Sequence, residues 1–395
     1  MPLSLCLLNK GMLRKILLTF TVFLFFFFTF SNSASASNSD SENGLPKEYY
    51  DAIESLPPEI SDNLPADIYS ESSEKVAEGL SKMLSADYFV NMLGNIVSLE
   101  ISSSVALLGK LCGVILISAI FATLKSSISS EALSRAFGFC STCTLFGVIA
   151  QTFILQIELL ASFFERLNSL MVSFVPIACT VWAIGGNVGT AAASGGILYA
   201  FLGVSEVLCA KTAIPVSVIC LVFALCRGIA PSLNLSGFSS AIRKCYTFTL
   251  GFIMTLLLAI LSSQTILSSS KDSIGARSAK IITATVIPVV GGSVSETLRT
   301  LGASVQYIKS IVGVSAILFI IVLLLPTLIT LIITRLVYLL AGSVADLLGC
   351  ERESRLIGEL GGISGVMIAT ASMVSVMFIL AFNIFIKTSV AMVGV

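Results

Sequence analysis

The sequence predicts an all-α protein: a polytopic transmembrane helical bundle with a cleavable signal peptide and an exported acidic N-terminal segment. Of its 395 residues, 55% are hydrophobic and only 12% are charged, about half the charged fraction of a typical soluble domain. The mean hydropathy is +0.97. Long apolar stretches recur along the chain, and these must be helices because a lone strand cannot satisfy its backbone in lipid. These observations exclude an ordinary water-soluble protein.

Residues 1–36 have the pattern of a secretion signal. Three basic residues precede an apolar run over 16–30, and Ala34-Ser35-Ala36 follows it. This order of basic residues, apolar core and small residues predicts a signal peptide that is cleaved after Ala36. The alternative is an uncleaved first transmembrane helix, although the run is shorter than the roughly twenty residues that a span needs.

Residues 37–104 are predicted to form an exported segment. Between 37 and 80, eleven Asp and Glu residues stand against two lysines, which suits the translocated side because Lys and Arg collect on the cytoplasmic side. Apolar residues at helical spacing from Val76 to Ile96 predict an amphipathic helix along the membrane surface. A solvated acidic linker without a partner is the alternative.

Residues 105–395 are predicted to form the membrane domain, with about eight helices. A shorter apolar stretch, 281–292, indicates a broken or re-entrant segment, and 336–348 is expected at the interface because it contains Asp346. The Lys and Arg residues after 270 fit both placements of the C-terminus, so its side stays open. The eight candidate spans are 105–124, 137–157, 170–184, 190–208, 214–230, 247–267, 311–333 and 363–386.

The composition also narrows the chemistry. The chain has no histidine, which removes the usual general base near neutral pH and the commonest metal ligand. Lys+Arg and Asp+Glu are both 23, so there is no basic excess to bind the phosphates of a nucleic acid. We therefore expect no catalytic residues, no metal, no cofactor and no nucleic-acid partner.

Two regions combine proline and paired glycines within short apolar segments. Pro176 precedes Gly185 and Gly186, and Pro288 precedes Gly291 and Gly292. Interruptions at corresponding places in two halves point to repeat-built transporters and to substrate paths. The alternative is that these are the kinks and glycine pairs common in membrane helices.

Small residues recur at every fourth position in two segments. Such stripes let helix backbones approach closely, which drives helix association in a membrane. The contact would lie within one chain or, alternatively, between subunits. The predicted packing residues are Gly185, Gly189 and Ala193 in the first segment and Gly361, Gly365 and Ala369 in the second.

The stretch Arg277-Ser278-Ala279-Lys280, continuing through Ile287-Pro288-Val289-Val290-Gly291 to Glu296-Thr297, resembles the stage III sporulation protein AE family. The order of features along the whole chain is also similar to that of the family. The resemblance implies a multi-pass protein of the mother-cell membrane that surrounds the forespore. It also implies a place in a channel or secretion-like complex, with other membrane proteins of the same sporulation operon and a forespore membrane protein as partners. It supplies no catalytic residues.

We therefore predict a non-enzymatic membrane component of the multiprotein channel between mother cell and forespore, needed for late forespore development. The lipid bilayer surrounds it, and a homo-oligomer is one form that its helix contacts would allow. The alternatives are a self-contained secondary transporter (permease) of a small solute and a scaffold without a conduit. The predicted path or gating residues are Arg277, Lys280, Pro288, Gly291, Gly292 and Glu296.

Overall fold

The computed structural model describes residues 45–54, 64–70, 72–125, 131–205, 207, 211–229, 236–286 and 291–387. It describes the backbone alone at 48, 52, 122, 124, 125, 131–135, 137, 138, 227–229, 236, 268–286 and 291–299. The signal peptide predicted over 1–36 lies outside the described residues. All described residues belong to one folded unit, Gly44–Val395.

Ten helical elements follow one another in the described part of the chain, which contains no strand. They are α1 (Lys47–Glu54), a 3-10 turn (Ala66–Tyr69), α2 (Ser73–Met83), α3 (Ala86–Lys125), α4 (Glu131–Ile184), α5 (Val188–Ser205), α6 (Ala213–Ile229), α7 (Ser236–Val286), α8 (Gly291–Leu347) and α9 (Glu351–Lys387).

Six helices in the described part of the chain are long and apolar enough to cross a membrane. This confirms the prediction of an all-α, polytopic bundle. The apolar part of α6 is shorter. The six segments are Ala86–Phe121, Phe139–Ile184, Val188–Ser205, Gly237–Leu267, Thr300–Leu347 and Glu351–Lys387.

The helix boundaries differ from the predicted stretches at two places. The stretches 137–157 and 170–184 belong to one continuous helix, α4, because the polar residues between them include no Gly or Pro that would end it. Likewise 336–348 continues from 311–333 within α8, apart from its last residue. α4 has 54 residues, about 80 Å at 1.5 Å per residue, so part of it extends beyond a hydrocarbon core of roughly 30 Å.

α8 forms the axis of the bundle. It packs against α2, α3, α4, α7 and α9, while α9 also packs against α4, α6 and α7. Between residues 311 and 325 every residue of α8 is buried except Val314, which is half-buried. The axis of this part of the bundle is therefore filled by a helix that is surrounded on nearly all sides.

The same backbone motif ends the first helix of the hairpins α4–α5 and α8–α9. Gly186 has a φ of 82° and Gly349 a φ of 74°, a conformation that glycine adopts without strain. In both turns the amide of the residue after the glycine donates to the carbonyl oxygen five residues back, at 2.9 Å. This is the Schellman motif, which satisfies the free carbonyl groups at a helix C-terminus.

α5 and α6 both pack beside α7. Ser194 in α5 hydrogen-bonds with Thr265 in α7 at 2.8 Å, and the thiol of Cys220 in α6 donates to the carbonyl oxygen of Ser239 in α7 at 4.0 Å. The two contacts are 26 residues apart on both sides. α5 and α6 therefore run antiparallel to α7.

The described part of the predicted exported segment packs on the bundle. Val76, Leu80 and Met83 form the buried face of α2, which lies against α8 and the 3-10 turn. A Cβ at Gly79 would lie 3.0 Å from the side chain of Ile68 in that turn. The apolar residues that predicted one helix along the membrane surface thus belong to two helices, α2 and α3. The apolar face of α2 packs against the rest of the protein and not against lipid.

Candidate functional site

Tyr49 joins α1 to the axis of the bundle. Leu45, Tyr49 and Ile53 recur every fourth residue and are buried, with Tyr49 0% exposed. The Tyr49 hydroxyl lies 2.8 Å from Oγ of Ser315 in α8. Ser315 donates its own hydrogen to the carbonyl oxygen of Ile311, so the Tyr49 hydroxyl is the donor. Burial raises the pKa of the Tyr49 phenol far above its usual value, and the hydrogen bond to Ser315 offsets only part of that rise.

An aromatic cluster surrounds the Tyr49 ring. Its edge meets the ring of Phe174 in α4, with the centroids 6.3 Å apart. Phe174 in turn lies 5.8 Å from Phe319 in α8 and 6.3 Å from Phe382 in α9. Each edge-to-face pair adds about 0.5–1.5 kcal/mol beyond the burial of its rings. The cluster therefore ties α1, α4, α8 and α9 together at one level.

Two arginine side chains lie against the glycine-rich part of α9. The guanidinium of Arg243 in α7 pairs with the Glu359 carboxylate at 2.8 Å, and the two side chains are only 14% and 13% exposed. A Cβ at Gly362 would lie 3.0 Å from the guanidinium carbon of Arg243. A Cβ at Gly365 would lie 2.8 Å from Nη1 of Arg335 in α8. These glycines therefore make room for charged groups inside the bundle.

Glu353 is a second buried acidic residue, at the start of α9. Its Oε1 accepts hydrogen bonds from Ser118 in α3 at 2.5 Å and from Ser141 in α4 at 2.8 Å. Higher along α9, Ser364 donates to Oε1 of the buried Gln156 in α4 at 3.2 Å. Because a buried polar group is costly without partners, these contacts position α3 and α4 on α9.

A cleft of about 230 Å³ opens between α4, α5 and α9. Its polar lining consists of Glu165 and Asn168 from α4 and Ser205 from the last turn of α5. Phe164, Leu167 and Val374 supply apolar walls. Within the residues that the structure describes, no three carboxylate or thiol groups come together to hold a metal ion.

The predicted path or gating residues fall on two helices. Arg277 and Lys280 lie in α7, while Gly291, Gly292 and Glu296 lie in the first two turns of α8. Only their backbone is described. Pro288 lies outside the described residues, between the two helices. The role of this segment stays a prediction.

The predicted packing residues have mixed positions. Gly361 is buried, and a Cβ there would lie 3.9 Å from Cβ of Tyr338 in α8, whereas Gly365 faces Arg335. Ala369 is half-buried. Gly185 is buried in the turn, but Gly189 is exposed and Ala193 half-buried. The buried face of α5 is instead formed by Thr190, Ala191, Ser194, Gly195, Leu198, Phe201, Leu202 and Ser205.

At Gly195, helix α5 lies very close to helix α4. A Cβ there would lie 2.5 Å from the sulfur of Cys179 in α4. Gly189 is exposed and Ala193 is half-buried. A contact of these two residues with another subunit therefore stays a prediction. The sequence does not mark the buried face of α5, because every position from 189 to 196 is a small residue.

Sequence reasoning also missed Tyr49, Arg243, Glu353 and Glu359. The spacing of Leu45, Tyr49 and Ile53 was a usable signal, since it puts three large apolar side chains on one helical face. No local pattern marks the charged residues, because their partners lie far away in the chain. Lys110, a charged residue within the predicted span 105–124, is exposed on α3.

Comparison with known proteins gives one family. The family model described as stage III sporulation protein AE matches residues 70–389. A curated relative from Bacillus subtilis (strain 168), named "Stage III sporulation protein AE", is 20% identical over 282 residues, which cover 70% of this chain and 71% of the relative. No solved structure matches the chain.

Proposed function

The chain belongs to the stage III sporulation protein AE family, and from this premise we propose that it is a non-enzymatic component of a multiprotein channel between mother cell and forespore. It would lie in the mother-cell membrane that surrounds the forespore and support late forespore development. The family match carries this proposal, since it covers all six apolar helices.

The filled axis of the bundle supports a path shared with other chains. Residues 311–325 of α8 occupy the centre, and no charged residue lies among them. A path along the axis of a single chain would require this helix to be displaced from its packed surroundings, which is costly. We therefore place the conduit between this protein and its partners, or between copies of it.

The exported segment offers the surface for those partners. Its apolar residues are used against the bundle, while Asp51, Glu54, Glu74 and Glu78 are exposed. The proposed partners are other membrane proteins of the same sporulation operon and a forespore membrane protein. An acidic exposed face favours basic surfaces on those partners and guides their approach.

Copurification and flux measurements test the proposal. The tagged full-length chain, solubilised from sporulating cells, is expected to retain the sibling proteins, whereas the protein alone in liposomes is expected to pass no small solute. Substrate flux without siblings would instead establish a transporter. The channel proposal would be contradicted if the liposomes pass no solute and no partner copurifies from cells at any stage of sporulation.

Variants of the 277–297 segment test the proposed path. Gly291→Leu and Pro288→Ala are expected to reduce the yield of heat-resistant spores more than Cys143→Ala does. Cys143 is exposed on α4, so its loss removes no internal contact. Equal tolerance of all three changes would argue against a path or gate at 277–297.

One observation favours the second candidate, a self-contained secondary transporter. A cleft of about 230 Å³ with polar groups from Glu165, Asn168 and Ser205 opens between the helices, and ligand sites in helical bundles commonly lie in such clefts. The same liposome experiment separates the two functions, because a transporter needs no sibling protein.

A further inference from the structure

We infer that a small monovalent anion, such as chloride, binds inside the bundle where Gln156 of α4 and Tyr338 of α8 meet the glycine-rich turn 361–365 of α9. The two side chains are only 3% and 1% exposed. Each has a polar atom without a hydrogen-bond partner among the described residues, Nε2 of Gln156 and the hydroxyl of Tyr338. The inference does not depend on the proposed channel function, because it concerns a property of the single chain.

The two side chains lie around one turn of α9. Oε1 of Gln156 accepts a hydrogen bond from Ser364 at 3.2 Å, and a Cβ at Gly361 would lie 3.9 Å from Cβ of Tyr338. Positions 361 and 364 of a helix are about 60° apart around its axis and about 4.5 Å apart along it. Gln156 and Tyr338 therefore approach neighbouring parts of the same face of α9.

The unsatisfied groups are hydrogen-bond donors. Since Oε1 of Gln156 accepts from Ser364, the group left without a partner is the amide nitrogen with its two hydrogens. The Tyr338 hydroxyl has one further hydrogen to donate. Both residues belong to segments that are long and apolar enough to cross a membrane, where little water is present to accept these hydrogens. A buried donor without an acceptor is costly, so the pair indicates a ligand that accepts hydrogen bonds.

Arginine side chains on the same turn favour a negatively charged acceptor. The guanidinium of Arg335 lies against Gly365, and that of Arg243 lies against Gly362 beside its partner Glu359. The two arginines and the glutamate together carry a charge of +1. A water molecule would also accept hydrogens from the two donors, but an anion gains in addition from the positive charge nearby. A ligand with one negative charge therefore suits this turn best.

Close packing of the helices limits the ligand to a small one. The hydrogen bond between Gln156 and Ser364 brings α4 against α9. The short distances at Gly361 and Gly365 bring α8 against the same turn. An ion of one or a few atoms is the size that such packing admits, since protein interiors have few voids larger than a water molecule.

Binding of ³⁶Cl⁻ to the purified full-length chain in detergent tests this inference. The wild-type protein is expected to bind ³⁶Cl⁻ saturably, and bromide is expected to displace it, whereas gluconate is too large to do so. Chloride should also raise the unfolding temperature, because a ligand that binds the folded state stabilises it by mass action. Absence of saturable binding, together with equal unfolding temperatures in chloride and gluconate, would overturn the inference.

Tyr338→Phe is the decisive variant, and Tyr199→Phe is its matched control. Tyr338→Phe removes only the buried hydroxyl and keeps the ring. Tyr199 lies on α5 and is 49% exposed. Tyr338→Phe is expected to weaken ³⁶Cl⁻ binding about tenfold, which is the usual effect of one hydrogen bond to a charged group, while Tyr199→Phe leaves binding unchanged. Equal binding by both variants would refute the site.

The stability of Tyr338→Phe in two salts separates anion binding from a purely structural role. In gluconate the variant should be at least as stable as the wild type, because it lacks an unsatisfied buried hydroxyl. In chloride it should be less stable than the wild type, because it loses a contact with the anion. A loss of stability of the same size in both salts would assign the hydroxyl a packing role and contradict the inference.

Gln156→Leu tests the site from α4, with Gln151→Leu as its control. Gln156→Leu removes the amide donor and is expected to weaken ³⁶Cl⁻ binding about tenfold for the same reason. Gln151 is exposed on the same helix, so its replacement should leave binding unchanged. Chloride binding by Gln156→Leu as strong as that of the wild type would also refute the site.

Discussion

The Tyr49 hydroxyl donates to Oγ of Ser315, 2.8 Å away and 266 residues later in the chain. This contact joins α1 to the buried axis of the bundle. α1 is therefore part of the folded core. Its position depends on one aromatic side chain whose ring and hydroxyl are both buried.

Tyr49→Ala is expected to release α1 from the bundle. Loss of a large buried aromatic side chain costs about 3–5 kcal/mol, and a helix of eight residues is not stable alone. Tyr49→Phe removes one hydrogen bond, worth about 1 kcal/mol, and should leave α1 docked. Trypsin cleavage after Lys47 measures the release. The exposed-site control Asp51→Ala should match the wild type, and protection of Lys47 in Tyr49→Ala would contradict docking through this residue.

Alkaline pH is expected to loosen α1 through the same residue. Burial raises the pKa of Tyr49 from its ordinary value of 10.0, so docking is fully stabilised below about pH 10. As the pH rises above that value the released form ionises first, and stabilisation is lost. Cleavage after Lys47 should therefore rise with pH more steeply in the wild type than in Tyr49→Phe. Identical pH profiles of the two proteins would exclude this cause.

Glu359→Ala is expected to destabilise the bundle by about 3–5 kcal/mol, because it leaves the buried Arg243 guanidinium without its carboxylate. Unfolding of the purified protein in detergent measures this. Glu351→Ala is the control: Glu351 pairs with Arg355 at the surface, with side chains 76% and 57% exposed, and such pairs contribute about 0–1 kcal/mol. Equal effects of the two changes would show that the Arg243 pair is not buried.

Glycine-to-alanine changes should differ according to the space around each residue. At Gly313 a Cβ would overlap Ile386 of α9, so α8 and α9 would have to separate, at a cost of about 1–3 kcal/mol. At Gly365 the clash is with the mobile end of Arg335, so the cost should be smaller. Gly358 has open space and should accept alanine without loss. Thermal unfolding ranks the three variants, and a Gly358→Ala effect as large as that of Gly313→Ala would contradict the packing.

Much of the fold was open to prediction from the sequence. The described residues of the eight candidate spans are helical, because hydrophobicity and length are local properties. The joining of 137–157 and 170–184 into α4 was missed, since a polar interval was taken for a loop although it contains no helix breaker.

The contacts at the candidate sites were harder to predict from the sequence. The Leu45, Tyr49 and Ile53 spacing predicts a helical face, but it does not identify Ser315 as the partner. The sequence predicts helix packing at the glycine stripe of α9, but whether a backbone or a guanidinium lies against it depends on which residues of α7 and α8 lie opposite.

The sequence by itself determined that this chain is a helical membrane protein, because its composition leaves too little polar surface for water. It also carried the family resemblance in residues 277–297. Only the tertiary structure decided which polar groups meet: Glu353 with Ser118, 235 residues apart, Arg243 with Glu359, and Tyr49 with Ser315. The physical reason is that burial of apolar surface is non-directional and follows composition, whereas a hydrogen bond or ion pair forms only where two particular helix faces come together.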